Sequence, residues 1–222
     1  MPSSAAGPDV GRDPSAAGTA PNASSVASND GPSQPGASAA APATPLRGTA
    51  LKRFNRAARR AARDEGRRVL FVLENVNYPV NVGSIFRIAD GCGATVLLAG
   101  TTPDPGSPTA AKVARGHQAH VPWSRTDDVA AALARLAADG WWVAALELAA
   151  DSRPYHNVDY PERVVLVLGN EDHGVTRRTL AACHAALYVP MLGRGGSLNV
   201  HVAAAVVAYR SLFPSRPSSP ST

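Results

Sequence analysis

LYVPMLGRGGSLNVHVAAAVVAY, the stretch from Leu187 to Tyr209, has an apolar start, a glycine-rich middle and a long Ala/Val-rich end. Its first residues, 187–189, predict a short strand that ends at Pro190, because a brief apolar run before a breaker is typical of a buried strand. The middle predicts a loop with three glycines and one cation: Gly193, Gly195, Gly196 and Arg194. The end predicts a buried helix.

The loop in this stretch has two interpretations. Ser197 is a favoured N-cap residue, since its hydroxyl can accept an unpaired backbone N–H, so we expect it to open the helix with Asn199 inside the first turn. Glycines let the backbone approach a ligand without a Cβ in the way, which indicates a binding loop. Glycine loops are nevertheless common, and the stretch taken alone favours an ordinary connection between a strand and a helix.

The positive charge of the chain lies outside its N-terminal segment. The 222 residues carry a formal net charge of +5, of which residues 1–46 contribute −2 and the remainder +7. A basic domain suits an anionic partner such as RNA, DNA or a phosphorylated ligand, although charge alone also fits a basic protein with no such partner.

Cysteine usage and hydropathy limit the classes of protein to which the chain can belong. Cys92 and Cys183 are far apart and lack disulfide or metal-type spacing, so we expect two unreactive core thiols, no metal and a reducing compartment. No apolar run is long enough to cross a membrane, and the N-terminus lacks the pattern of a secretory signal. These features predict a cytoplasmic protein without a membrane partner.

The N-terminal third divides into a tail and a basic helix. Residues 1–46 are dominated by Ala, Pro, Ser and Gly, which predicts a disordered tail, as do the last residues, 214–222. Leu51 to Arg68 predicts a helix within a basic segment, 47–68. Helical spacing groups four of its cations as candidate RNA contacts: Arg56, Arg59, Arg60 and Arg63. A solvated surface is the ordinary alternative for such a run.

Between residues 69 and 213, apolar strands alternate with helical segments. The predicted strands are 69–73, 95–99, 141–148, 163–168 and 187–189, and the predicted helices include 84–90, 126–138 (capped by Thr126) and 176–183. This order predicts an α/β fold with a mostly parallel sheet and helices on both faces. Ligands of such sheets bind beyond the carboxyl ends of the strands. We therefore expect a site in the loops after Leu73, Leu168 and Val189.

Those three loops carry sequence motifs that are specific in combination. The motifs are N-x-x-x-N-V-G-S-I-x-R-x-A-x-G-x-G (Asn77–Gly93), V-L-G-N-E-x-x-G-V (Val167–Val175) and V-P-M-x-G-x-x-x-S-L-N-V-x-V-A-A-A (Val189–Ala205). In this order the chain closely resembles the SpoU/TrmH family of RNA ribose methyltransferases, within the SPOUT superfamily. The resemblance covers about 70–211.

The resemblance implies a fold, an activity and a set of partners. Members of the family transfer a methyl group from S-adenosylmethionine to a ribose 2′-hydroxyl of RNA, and are typically homodimers with the active site at the subunit interface. Their α/β domain ends in a trefoil knot, which ordinary topology rules would not predict. Here the methyltransferase domain would be 69–213. Without a further substrate-binding domain, this chain resembles members acting on tRNA slightly more than those acting on rRNA.

The resemblance also assigns residues. Three positions match family residues whose backbone contacts the cofactor: Gly169, Val189 and Leu198. Met191 and Gly193 lie in the same wall, and Leu148 is a further candidate at the end of a strand that a variable segment follows. Five match the active-site polar set: Asn81, Arg87, Glu171, Ser197 and Asn199. Lys112 and Arg115 match a region that can touch RNA. Each has an ordinary alternative, such as a surface ion pair for Arg87, a helix cap for Ser197 or a turn carboxylate for Glu171.

The residue types suit this chemistry. A 2′-hydroxyl is a poor nucleophile and must lose its proton near the moment of attack, whereas a sulfonium donor needs positioning more than a covalent intermediate. Arg87 could bind the RNA phosphate or align the hydroxyl. The resemblance also implies an arginine as the general base, although a guanidinium is very hard to deprotonate in a protein. Ser197 and Asn199 could orient Arg87 or the ribose. Glu171 could shape the site.

Two other classes compete with an enzyme of this kind. The first is a non-catalytic RNA-binding protein of the same fold. The presence of four polar residues of the family's active site argues against it: Arg87, Glu171, Ser197 and Asn199. The second is a nicotinamide-dependent enzyme, suggested by Gly91-x-Gly93 and the α/β alternation. A dinucleotide fingerprint needs its glycines between a strand and the following helix, whereas Gly91 and Gly93 follow a helix and precede a strand.

Overall fold

The structure is a computed structural model that describes residues 44–64 and 66–214. The two predicted disordered tails, 1–46 and 214–222, lie almost entirely outside these residues. None of the helices in the described part of the chain combines the length and the apolar character needed to cross a lipid bilayer.

Seven strands form one parallel sheet, in the order β3-β2-β1-β6-β4-β7-β5. The strands are β1 (Arg68–Glu74), β2 (Thr95–Ala99), β3 (Trp123–Thr126), β4 (Trp142–Leu146), β5 (Arg153–Pro154), β6 (Arg163–Leu168) and β7 (Ala185–Tyr188). The central strands β1 and β6 are apolar apart from charged residues at their ends and are buried along most of their length, as expected for strands covered on both faces.

Helices cover both faces of the sheet, which confirms the predicted α/β class. The helices of the described residues are α1 (Gly48–Asp64), α2 (Pro79–Cys92), α3 (Pro108–Ala114), α4 (Val129–Ala138), α5 (Arg177–Leu180) and α6 (Val200–Leu212). Of these, α1 is exposed over residues 48–60, which contribute to neither core. One core joins the sheet to α2, α3 and α6 through residues such as Phe86, Ala110 and Val207. The other joins the opposite face to α4 and α5 through Leu133 and Leu180.

Several predicted boundaries are wrong for local reasons. Helix α4 begins at Val129 rather than Thr126, because Asp128 is its N-cap and its carboxylate accepts the backbone N–H of Ala131 at 3.1 Å. Thr126 is instead the last residue of β3, an edge strand whose sequence WSRT is too polar to be predicted as buried. Leu148 lies two residues beyond the end of β4 instead of within it.

Helix α1 ends at Asp64, four residues before the predicted end, and Gly66 follows with a φ of +69°. Arg67 therefore lies outside the helix, where its Nη1 donates to the carbonyls of Tyr160 (3.0 Å) and Ser211 (3.1 Å). Its charge stabilises the fold near the end of α6, while residues 48–60 are exposed.

Helix α6 begins two residues later than predicted. Its N-cap is Asn199, whose side chain makes no capping hydrogen bond, and Ser197 lies in the exposed loop before it. The prediction that Ser197 caps the helix, with Asn199 inside the first turn, is therefore wrong. The prediction of a buried Ala/Val helix is confirmed, since Ala204, Val207 and Ala208 pack into the core.

Candidate functional site

The carboxyl ends of the strands bring the three motifs to one edge of the sheet. Strands β1, β6, β4 and β7 are successive hydrogen-bonded neighbours, and all are parallel. The loops that follow them, 75–78, 169–176, 147–152 and 189–199, therefore lie side by side. This is the edge at which the sequence predicted a site.

Glu171 joins the loop after β6 to the start of α2. Its carboxylate accepts the backbone N–H of Asn77 at 2.8 Å, the backbone N–H of Tyr78 at 3.2 Å and the side-chain N–H of Asn81 at 2.6 Å. An acidic group at a helix N-terminus also interacts favourably with the helix dipole. The Glu171 carboxylate thus fixes the loop after β6 to the start of α2 through three hydrogen bonds.

Asn81 is a buried member of the same cluster and has a second partner. Its Oδ1 lies 2.9 Å from Nδ1 of His201, on the first turn of α6. Sequence reasoning assigned no role to His201, because no local pattern links it to Asn81. We call these three side chains, His201, Asn81 and Glu171, the Asn81 network.

Two further carboxylates hold the loop after β6. The buried Glu74 accepts the backbone N–H of Thr176 at 3.0 Å and the hydroxyl of Thr179 at 2.6 Å. Glu147 accepts the backbone N–H of Val175 at 2.8 Å. The turn itself is closed by reciprocal backbone hydrogen bonds between Asn170 and Gly174. Glu171 is thus presented by a loop with little freedom.

Arg87, Ser197 and Asn199 are exposed, and their side chains form no hydrogen bond within the described part of the chain. The structure therefore unites Asn81 with Glu171 but forms no bond between Arg87 and either residue of the third motif. Arg87 lies on α2 two turns after Asn81, whereas Ser197 and Asn199 lie just before α6. All three side chains are free to bind a substrate.

The predicted cofactor residues divide into two groups. Gly169 is buried, and a Cβ there would lie 2.2 Å from the backbone of Gly174. The turn therefore requires glycine at position 169. Leu148 (70% exposed) and Leu198 (37% exposed) lie in loops after the neighbouring strands β4 and β7, together with the part-exposed Met191.

The loop after β7 also has free backbone groups. Among the described residues, 191–198 take part in no backbone–backbone hydrogen bond outside helices and strands. Exposed apolar side chains beside unpaired backbone donors and acceptors suit a ligand with both an apolar and a polar part. An adenosyl group with an amino-acid tail has this composition, so the residues present fit such a cofactor. Val189 packs against the core at the loop's start, and Gly193 has open space around it.

The predicted RNA contacts lie on two surfaces. Arg56, Arg59 and Arg60 are exposed on α1, while the side chain of Arg63 lies outside the described residues. Lys112 and Arg115 are exposed on or directly after α3. Helix α3 packs closely on α2, since a Cβ at Gly83 would lie 2.3 Å from the carbonyl oxygen of Ala110. The second surface is therefore next to the helix that carries Arg87.

The thiols are not candidates for chemistry. Burial raises the pKa of Cys92 to about 12, and burial also raises the pKa of Cys183 to about 12. Such thiols are unreactive near neutral pH, as predicted. Among residues 44–64 and 66–214, no three His, Cys, Asp or Glu side chains come close enough to hold a metal ion.

Comparison with known proteins gives a match along most of the described chain. Residues 68–209 match the model of the SpoU rRNA methylase family. The chain is 35% identical over 158 residues to the 23S rRNA (guanosine-2′-O-)-methyltransferase RlmB of Ralstonia nicotianae, a match that covers 68% of this chain and 63% of the relative. The chain spans about three fifths of the length of the curated relatives it matches.

Two solved structures are also similar. An AdoMet-bound rRNA methyltransferase from Sinorhizobium meliloti is 30% identical with a TM-score of 0.60, over 65% of this chain and 55% of that one. A structure described as giving insight into 2-OH methylation of C/U34 on tRNA is 28% identical with a TM-score of 0.59, over 66% of this chain and 97% of that one.

Proposed function

The chain belongs to the SpoU methylase family, and on that premise we propose that it transfers a methyl group from S-adenosylmethionine to a ribose 2′-hydroxyl of RNA. The observation that carries the proposal is the arrangement of the three motifs at one edge of the sheet. There the Asn81 network holds α2 in place, while Arg87, Ser197 and Asn199 remain free for a substrate. The domain 69–213 would carry the activity.

In this proposal the chain's residues bind and orient the reactants. S-adenosylmethionine supplies the methyl group as a sulfonium when bound against the loops after β4, β6 and β7. Arg87 binds the phosphate beside the target ribose and aligns its hydroxyl, because a guanidinium donates to phosphate in a fixed, bidentate geometry. Ser197 and Asn199 hydrogen-bond the ribose. Positioning of this kind can supply a large part of the rate enhancement without a covalent intermediate.

Calorimetry with S-adenosylmethionine tests the proposal first. We expect saturable one-site binding to the folded protein. In a second assay, we expect a labelled methyl group to be transferred to RNA and recovered at a 2′-oxygen after nuclease digestion. A folded protein that fails to bind S-adenosylmethionine contradicts the proposal. Binding of RNA with no methyl transfer would instead support the non-catalytic alternative.

The RNA substrate is the finer part of the proposal. We propose tRNA slightly in preference to rRNA. The support is the structure that concerns methylation of C/U34 on tRNA, of which the match covers nearly the whole chain, although the Ralstonia relative is named for 23S rRNA. Mapping 2′-O-methyl sites in total RNA, with and without the gene, decides between them. The methylated site absent from the deletion strain identifies the substrate. With either RNA substrate, we propose that the protein acts in the cytoplasm.

We also propose that the fold ends in a trefoil knot and that the protein is a homodimer. The support for a dimer is an exposed apolar stripe on α6, opposite the face that packs on the sheet: Val202, Tyr209 and Phe213, with Leu198 just before the helix. A stripe of this kind is typical of a protein–protein contact.

Val202→Glu is expected to shift the dimer towards monomer. A charge placed in a buried contact is strongly unfavourable, whereas in the free monomer Val202 is 38% exposed and tolerates the change. Sedimentation velocity measures the outcome, with Ala134→Glu, at an exposed position on α4, as the matched control. A Val202→Glu protein that remains dimeric would place the interface elsewhere.

Removal of α1 is expected to weaken RNA binding and reduce its salt dependence. Each lost phosphate contact makes the negative slope of log K against log salt less steep by about 0.7 to 0.9. The variant should begin at residue 65, which keeps Arg67 and its carbonyl contacts. A second variant beginning at residue 44 retains α1 and is the control. Equal salt slopes for the two would mean that α1 is only a solvated surface.

A further inference from the structure

The buried side chain of Asn81 is hydrogen-bonded on both sides by residues from distant parts of the chain. Only 4% of Asn81 is exposed. Its Nδ2 donates to Oε1 of Glu171 at 2.6 Å, and its Oδ1 lies 2.9 Å from Nδ1 of His201. The Asn81 network therefore links the first turn of α2 to the loop after β6 and to the first turn of α6.

The directions of these hydrogen bonds follow from Glu171. Its two oxygens also face the backbone N–H groups of Asn77 and Tyr78, which can only donate, so the form that fits is a carboxylate that accepts at both oxygens. Asn81 must then turn its NH₂ group towards Glu171 and its carbonyl oxygen towards His201. Since that oxygen only accepts, Nδ1 of His201 must carry a hydrogen.

The His201 ring has a defined state as a result. Burial lowers the pKa of His201, so the ring is neutral near pH 7 and has a single N–H. Because that hydrogen is on Nδ1, Nε2 is unprotonated. The network is then a chain of two hydrogen bonds, from the His201 ring to Asn81 and from Asn81 to the Glu171 carboxylate.

We propose that His201 is a positioning residue for methyl transfer, which fixes α2 relative to the start of α6 by holding the side chain of Asn81. The inference rests on the proposed function. Arg87 lies on α2, and Ser197 and Asn199 lie directly before α6. For these three groups to act on one ribose, the position of α2 relative to α6 must be fixed. A misplacement of about 1 Å can cost roughly 100-fold in rate.

Apolar packing between α2 and α6 does not need His201. Ile85 and Ala89 of α2 are buried in the same core as Ala204 and Ala208 of α6. Removing the ring N–H leaves this packing intact, so the network adds precision to a contact that the core already provides. Loss of His201 should therefore affect the rate much more than the fold.

The test compares His201→Phe with His201→Gln. Phe keeps a flat ring but cannot donate, whereas the Gln amide can replace the lost donor. We expect His201→Phe to lower kcat on the order of 10- to 100-fold, with the KM for S-adenosylmethionine changed by less than about 2-fold, and His201→Gln to recover most of the loss. The control is His120→Phe, at an exposed histidine whose side chain makes no hydrogen bond in the described part of the chain.

A double-mutant cycle separates positioning from direct action on the substrate. If His201 acts through Asn81, His201→Phe should add little to the loss already caused by Asn81→Ala. Losses that multiply across the two changes would overturn the inference, because His201 would then act by another route. Thermal unfolding of each variant identifies any that fail to fold, and His201→Gln still reports on the hydrogen bond in that case.

Failure of the inference and failure of the proposed function give different results. An active wild-type enzyme with an equally active His201→Phe variant overturns the positioning role alone. An inactive wild-type protein contradicts the proposed function. In that case ¹⁵N NMR of the histidine rings at pH 7.5, without cofactor or RNA, still tests the network. A neutral His201 protonated at Nδ1 supports it, and one protonated at Nε2 overturns it.

Discussion

Arg87→Ala is expected to lower kcat for methyl transfer by at least about 100-fold while leaving the affinity for S-adenosylmethionine within about 2-fold. Loss of one charged donor from a site that orients an anionic substrate typically has an effect of this size. Arg87 lies on α2, whereas the loops proposed to bind the cofactor follow β4, β6 and β7, so the two functions should separate. Single-turnover methylation and calorimetry measure them independently.

The fold should tolerate this substitution, because Arg87 is exposed and its side chain has no hydrogen-bond partner among the described residues. Alanine also favours a helix, so the free energy of unfolding should change by less than about 0.5 kcal/mol. Arg135→Ala, at an exposed position on α4 across the sheet, is the matched control. Arg87→Lys should be only partly active, since lysine lacks the bidentate geometry. Methylation at the wild-type rate in Arg87→Ala would show that the assigned role is wrong.

The sequence predicted those parts of the fold that depend on local patterns. The strands 95–99 and 163–168 have the predicted bounds because each is a continuous apolar run with polar or glycine residues at its ends. The position of the three motifs at one edge also follows from a local rule, since parallel strands have their carboxyl ends together.

The missed features depend on tertiary contacts. Strand β5 consists of two residues, Arg153 and Pro154, and exists because β7 offers it an edge. The link between His201 and Asn81 joins segments 120 positions apart, and neither residue belongs to a local pattern that would reveal the other. Ser197 has the residue type of an N-cap, but the loop continues to Asn199 before the helix begins.

The motif residues fall into two physical classes that their sequence does not distinguish. Asn81 and Glu171 are hydrogen-bonded to each other, and each has a further partner: backbone N–H groups for Glu171 and the His201 ring for Asn81. Arg87, Ser197 and Asn199 are exposed and unbonded in the described structure, so they are available to a substrate. The resemblance assigned all five residues to one active-site set. Only the geometry distinguishes the side chains that are bonded within the protein from those that are available to a substrate.

Gly169→Ala is expected to destabilise the protein by about 3 kcal/mol and to abolish methylation. The new Cβ would lie 2.2 Å from the carbonyl carbon of Gly174 and 2.3 Å from the backbone nitrogen of Val175, and backbone atoms cannot turn aside as a flexible side chain can. Overpacking costs of roughly this size are usual in closely packed regions. The displaced turn also carries Glu171, so the start of α2 would lose its carboxylate partner.

Gly193→Ala is the matched control, because Gly193 matches the same cofactor set but has no atom within 4 Å of an added Cβ. Its stability should change by less than about 0.5 kcal/mol, and any loss should be in the affinity for S-adenosylmethionine. Thermal unfolding and calorimetry of both variants separate the two roles that a glycine can have in this site. A Gly169→Ala protein that unfolds at the wild-type temperature would mean that the turn can relax. The requirement for glycine at position 169 would then come from the bound cofactor and not from the chain's own backbone.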